Sequence, residues 1–258
     1  MKAKITFIGA GNMAWHLANA FDHAGNTIHQ IISRNEENAK KLANKYAAFF
    51  DLNIQNIAND SDFVFLTVPD DKIVDILRKT EVTNPCFVHC AGSISLSEIS
   101  NFKPDTAIFY PLQTFSKNRK LNYFEIPVFV EASNLKTLNK IRNLAENISN
   151  NVIELDSEKR KILHLAAVIS NNFTNHLLLQ AENLLSQSQM PLKWLKPLLR
   201  ETIEKAFELG PDNSQTGPAV RNDENTIYMH LQMLKHEESL KEIYEIITRH
   251  IINHKFKK

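Results

Sequence analysis

The chain has 258 residues, 43% of them hydrophobic and 23% charged, with 30 Lys and Arg against 29 Asp and Glu. A net charge of +1 leaves no field to recruit nucleic acid or an anionic membrane, and no apolar run reaches membrane-span length. That size suits one large domain or two smaller ones.

The stretch Lys4-Ile5-Thr6-Phe7-Ile8 is rich in β-branched and aromatic residues and predicts a buried parallel strand. It breaks at Gly9-Ala10-Gly11 and continues through Asn12, Met13 and Ala14 as a helical pattern to Ala24. A strand, a glycine turn and a helix in that order make the first βα unit of a Rossmann domain. Gly9 permits the tight turn, Gly11 lets a pyrophosphate approach the backbone, and Ala14 lets helix and strand pack closely. The helix start then offers free N–H groups to the anion.

A second strand over Ile28–Ser33 ends in Ser33-Arg34, where an NAD-specific domain usually carries Asp or Glu. A hydroxyl and a guanidinium suit a 2′-phosphate, so NADP is the expected cofactor. The alternative for Arg34 is a surface residue opening the next helix. Further strands are predicted at 49–52, 62–68, 86–91, 106–111, 128–131 and 152–155, with helices at 36–47, 72–79 and 135–148. This alternation implies a doubly wound, parallel sheet with right-handed crossovers. Ligands bind such sheets at the carboxyl ends of strands, which adds Val68, Pro69, His89 and Ala91 to the candidate site.

The character changes near Asp156-Ser157, and the remainder reads as helix, giving domains at 1–155 and 156–258. From Ile162 to Leu185 apolar residues occur nearly all round, as on a helix buried on all sides. That helix also carries His164, Asn171, Asn172, Asn175 and His176. At a constant ~100° per residue, His164, Asn171 and Asn175 share one stripe. Such polar groups either bond to neighbouring helices or line a ligand cleft. His164 is the candidate proton donor, with Asn172 or Asn175 as its orienting partner. Helices are also expected over 191–209, from Pro218, and over 237–253. A helix start at Pro218, with Arg221 beside it, is a candidate holder for an acidic substrate group; a capped turn with an Arg221–Asp223 surface pair is the alternative. His89 is a second catalytic candidate, or packs its strand end.

Cys86 and Cys90 are read as two buried thiols, and no leader segment is expected, which points to a reducing, cytoplasmic setting. His250 and His254 are read as a solvated helix face rather than metal ligands, and Lys255–Lys258 as a solvated tail.

The segment Gly9–Ala14 resembles the cofactor turn of pyrroline-5-carboxylate reductases, and also that of a related, largely uncharacterised family. That family couples a Rossmann-like NADP-oxidoreductase domain to a helical C-terminal domain of unknown function. The match to it runs in order through Val68–Asp71, Val88–Gly92, Tyr110–Phe115, His164–Val168 with Asn172-Phe173, and Thr216–Asp223. The resemblance implies a Rossmann domain, a 6-phosphogluconate-dehydrogenase-like helical domain, NADP and a dimer. It brings no proton donor. The Gly-Ser-Gly-Pro stretch of pyrroline-5-carboxylate reductases is absent, and Lys161 is followed four residues later by Leu165 rather than Asn.

The expected function is an NADPH-dependent reductase acting on a small carbonyl or imine metabolite. Gly9, Ala10, Gly11, Asn12, Met13, Ser33, Arg34, Val68, Pro69 and Ala91 are expected to bind the cofactor. His164, Asn172 and His89 are expected at the chemistry, and Asn175 and Arg221 at the substrate. A non-catalytic NADP-binding sensor or scaffold is the alternative. A homodimer through the helical domain is expected, from its excess of apolar helix surface.

Overall fold

A computed structural model describes residues 2–256, so Lys257 and Lys258 of the basic tail lie outside the described residues. One compact unit runs up to Ser170 and a second begins at Asn171.

The first unit is built on strands β1 (Lys4–Ile8), β2 (Thr27–Ile32), β3 (Phe49–Asp51), β4 (Phe63–Leu66), β5 (Cys86–His89), β6 (Thr106–Pro111), β7 (Val128–Ala132) and β8 (Val152–Glu154). They form one sheet in the order β3-β2-β1-β4-β5-β6-β7-β8. Helices α1 (Asn12–His23), α2 (Glu36–Lys45), α3 (Asp70–Lys79), α4 (Leu96–Ser100), α5 (Leu135–Glu146) and α6 (Ser157–Ala167) join or follow them.

Alternate strand residues serve two apolar layers. Phe7, Phe65 and Phe109 meet Phe21 of α1 on one face, with ring centroids 5.2–6.5 Å apart. Ile8, Leu66 and Phe87 meet Ile73 and Leu77 of α3 and Ile99 of α4 on the other. Both faces are covered, which is why the central strands read as continuous apolar runs.

The sheet is parallel from β3 through β6, but β7 pairs antiparallel to β6, with Tyr110 opposite Phe129. The expected doubly wound parallel sheet holds from β3 through β6, and the antiparallel entry of β7 is the one departure from it. The connection over residues 112–127 carries only a 3₁₀ turn, Tyr123–Glu125, and no crossover helix. The chain therefore re-enters the sheet at the end it left. β8 runs parallel to β7.

After α6 the helix passes through a π segment, Val168–Phe173, into α7 (Thr174–Ser186). The second unit continues with α8 (Lys196–Leu209), α9 (Pro211–Ser214), α10 (Glu224–Met233) and α11 (Glu238–Phe256). Three expectations change here.

The helix from Ile162 is not enclosed within its own chain: Ile162 is 70% exposed and Phe173 56%. The π segment breaks the constant angular step on which the stripe of His164, Asn171 and Asn175 depends. A π turn holds an extra residue, which resets the phase by on the order of 100°. Finally, no helix starts at Pro218. Residues 218–222 form turns, Asn222 takes a φ of 49°, and α10 begins only after Asp223. The Asp223 carboxylate accepts from the Thr226 amide at 3.1 Å and from its hydroxyl at 2.8 Å. A side-chain cap outcompetes proline as the start signal.

Candidate active site

The parallel register fixes the site. Ile8 pairs with both Ile32 and Leu66, Leu66 with His89, and His89 with Ile108. The residues just after these positions therefore emerge along one edge of the sheet. Gly9, Ser33, Thr67 and Cys90 follow them in the sequence.

The turn at Gly9 is built around a close approach. Its φ is +103°, and a Cβ there would collide with the carbonyl oxygen of Thr67. Thr67 in turn donates its hydroxyl to the carbonyls of Ile8 and Gly9, each at 3.1 Å. By contrast, a Cβ on Gly11 would meet nothing within 4 Å, so its outer side faces open space. α1 begins at Asn12 without a side-chain cap and without an acidic residue in its first turn. Its first N–H groups therefore face outward as an anion site.

Beside that turn lies a cavity of about 450 Å³. Gly9, Ala10, Gly11, Ser33, Arg34, Val68 and Pro69 line it, as do Leu52, Ile54, Ile76, Lys72 and Lys79. Arg34 forms no ion pair among the described residues, while Lys72 pairs with Asp71 at 2.6 Å. Apolar walls and three cations, against the one carboxylate of Asp75, suit a planar base carrying a phosphate. Sequence reasoning passed over Lys72 and Lys79. Their spacing of seven, two helical turns along α3, was the available signal.

Asn12, Met13 and Ala91 do not line this cavity. The Asn12 side chain donates to the Phe115 carbonyl at 2.9 Å. It thereby ties the loop after β6 to the start of α1. His16 does the same, bonding the Ser116 carbonyl and the Tyr123 hydroxyl, each at 2.9 Å. Met13 packs on the core beneath α1, and Ala91 is buried.

Along the same edge, the turn after β4 touches the turn after β5. The Ser93 hydroxyl donates to the Asp70 carboxylate. Next to Ser93, Gly92 lies against the ring of His164: a Cβ at Gly92 would sit within contact of His164 Cγ and 2.5 Å from Nδ1. His164 Nδ1 is 3.0 Å from the Tyr110 hydroxyl, and the two rings cross at 81°. The partner His164 takes is thus Tyr110, in place of the expected Asn172 or Asn175. Burial raises the Tyr110 phenol above its ordinary range; Arg160 opposes that shift and Asp70 adds to it. The phenol is protonated at neutral pH.

His89 is elsewhere in its chemistry. It has no exposed surface, and its Nδ1 accepts from the Ala91 amide at 3.1 Å. Burial, helped by the Arg160 guanidinium, pushes its pKa down to about 3. It is a neutral core imidazole with an unpartnered Nε2.

Arg160, one turn before His164 on α6, is also fully enclosed. It donates to Glu131 Oε2 at 2.6 Å and to the Ile94 carbonyl, while Ser157 donates to the same Glu131 oxygen at 2.7 Å and accepts from the Leu96 amide at 2.9 Å. This network fastens α6 to β7 and to the turn after β5.

In the second unit, Asn171, Asn172 and Asn175 are exposed, and the Asn171 amide reaches the Asn172 oxygen at 3.4 Å. Arg221 is exposed on the turn before α10; the pKa of Asp223 is lowered first by its hydrogen bonds from Thr226, with the Arg221 charge adding to them. His254 meets Asp212 at 3.2 Å. Among the described residues no three His, Cys, Asp or Glu gather as a metal site. Cys86 and Cys90 are buried free thiols. No helix among the described residues is long and apolar enough to cross a membrane.

Residues 4–87 match a family profile described as NADP oxidoreductase coenzyme F420-dependent. Residues 126–251 match one described as a domain of unknown function, DUF2520. Comparison with curated proteins finds no match. Among solved structures, a Bacteroides fragilis protein with a provisional NADP-oxidoreductase assignment is 38% identical, with 98% of each chain covered and a TM-score of 0.91. A reductive aminase from Aspergillus terreus, in complex with NADPH and ethyl levulinate, is 13% identical over 97% of this chain and 95% of its own, at a TM-score of 0.72. A 1-pyrroline-5-carboxylate reductase from Streptococcus pyogenes is 15% identical over 100% and 99%, at a TM-score of 0.61. The last two share the fold.

Proposed function

We propose, since this chain belongs to the family that joins an NADP-oxidoreductase domain to the DUF2520 domain, that it is an NADPH-dependent reductase of a small carbonyl or imine compound. The observation that carries the reading is the cavity beside Gly9, with Arg34, Lys72 and Lys79 on its walls. Its residues fit the cofactor: an open Gly11, an uncapped helix start for the pyrophosphate, and cations for a 2′-phosphate.

The bound cofactor supplies a hydride; the chain supplies orientation and a proton. Ser33 and Arg34 would hold the 2′-phosphate, and the α1 amides would hold the pyrophosphate. His164 stands on the same sheet edge, with Asp70 and Ser93 linking its Gly92 floor to the Pro69 turn of the cavity. His164 is the titratable group of that edge suited to deliver the neutralising proton. His89, neutral and enclosed, is not in a form to do so.

We also infer a homodimer through the helical unit. Among its described residues only Ala219 and Leu234 are buried, while Phe207 is 89% exposed. A helical unit without a core of its own needs another surface to cover it. Light scattering tests this; a monomer at every concentration would contradict it.

The function is tested by following NADPH oxidation across a panel of small ketones, aldehydes and imines, with wild type and His164→Gln side by side. Turnover lost in the variant with NADPH binding kept is the expected result. Tight NADPH binding with no oxidation of any panel member would favour a sensor or scaffold instead.

A further inference from the structure

One nitrogen of His164 is engaged and the other is not. Nδ1 meets the Tyr110 hydroxyl at 3.0 Å, while Nε2 has no partner among the described residues. The ring is held from two directions, by Tyr110 at Nδ1 and by the bare backbone of Gly92 beneath it. Gly92 has no positive φ; glycine is required there by the close approach of the ring. Tyr110 itself is fixed, nearly buried on β6 and packed against Phe129 at 6.4 Å.

We propose that Tyr110 is the positioning residue of proton delivery: by holding Nδ1 it reserves Nε2 of His164 as the nitrogen that exchanges a proton with the substrate. This rests on the reading of His164 as the proton donor. The protonated ring carries a proton on each nitrogen. It gives the Nε2 proton to the substrate oxygen or nitrogen as the substrate carbon accepts a hydride and its electron pair from NADPH. The ring is left neutral with its remaining proton on Nδ1, donated to the Tyr110 oxygen. A proton taken up from solvent restores the Nε2–H. The bond to Tyr110 persists throughout, so the ring does not turn over between steps. The charged groups acting on the Tyr110 hydroxyl are Arg160 and Asp70, and the phenol stays neutral beside them.

The test needs no substrate. Long-range ¹⁵N NMR on the full chain, labelled at histidine, reads which nitrogen of a neutral ring carries the proton. His164→Gln assigns the signal by its loss. In wild type, neutral His164 is expected as the Nδ1–H form. In Tyr110→Phe, which keeps the aromatic packing, it is expected to revert to the Nε2–H form that a free imidazole prefers. Gly92→Ala, whose Cβ displaces the ring from Tyr110, is expected to give the same reversal and serves if Tyr110→Phe fails to fold. An Nε2–H ring in wild type, or the same form in wild type and variants, overturns the proposal. Undiminished turnover in His164→Gln would instead remove the donor role and leave the NMR result standing, so the two failures are distinguishable.

Discussion

Arg160 donates to Glu131 at 2.6 Å from a position with no exposed surface, and so joins the first turn of α6 to β7. Removing the enclosed Arg160 strands the Glu131 carboxylate, which is itself 20% exposed, at a cost of up to about 3–5 kcal/mol. Arg160→Met is expected to lose stability on that scale in denaturant unfolding, with His164 released from its place one turn later. A loss below about 1 kcal/mol, the scale of a surface pair, would show that Glu131 does not depend on it.

Gly9→Ala sets a Cβ against the Thr67 carbonyl at a φ of +103°. Backbone strain of this kind costs about 1–3 kcal/mol. Calorimetry is expected to show both a lower melting temperature and NADPH affinity reduced roughly tenfold or more, as about 1.4 kcal/mol is a factor of ten. Unchanged affinity would detach this turn from the cofactor.

The burial of His89 makes the fold sensitive to acid. Its pKa falls from an ordinary 6.5 to about 3 in the folded chain. Below about pH 6.5 the unfolded chain takes up a proton that the folded chain refuses, and stability drops as pH falls toward 3, by up to about 1.4 kcal/mol per pH unit. His89→Gln, which keeps an acceptor for the Ala91 amide, is expected to flatten that slope. Unfolding free energies measured from pH 7 to pH 4 check it, and parallel slopes in the two proteins would contradict it.

Much of the candidate-site edge of the sheet was legible because its causes are local. A strand, a glycine turn and a helix follow one another within Lys4–His23, and Ser33-Arg34 sits where the second strand must end. The antiparallel entry of β7 was not legible, since it follows from what residues 112–127 lack rather than from any motif they carry. The polar stripe on the long helix failed because Val168–Phe173 is π-helical, and a period count assumes one constant step. Apolar faces around Ile162 and Phe173 were read as core, but periodicity records that a surface is to be covered and not by what. Tyr110 was hidden inside an apolar strand; its contact with His164 arises because α6 returns to β6, 54 residues on in sequence.

Arg34 lines the cavity beside Gly9, where the 2′-phosphate of a bound NADPH would reach it. A charge-assisted contact to phosphate contributes about 1.5–3 kcal/mol. Titration of both reduced cofactors by calorimetry is the most direct measurement. Wild type is expected to bind NADPH roughly 10- to 100-fold more tightly than NADH, and Arg34→Asp to abolish the preference. Equal affinities in wild type, or a preference that survives Arg34→Asp, would contradict the account.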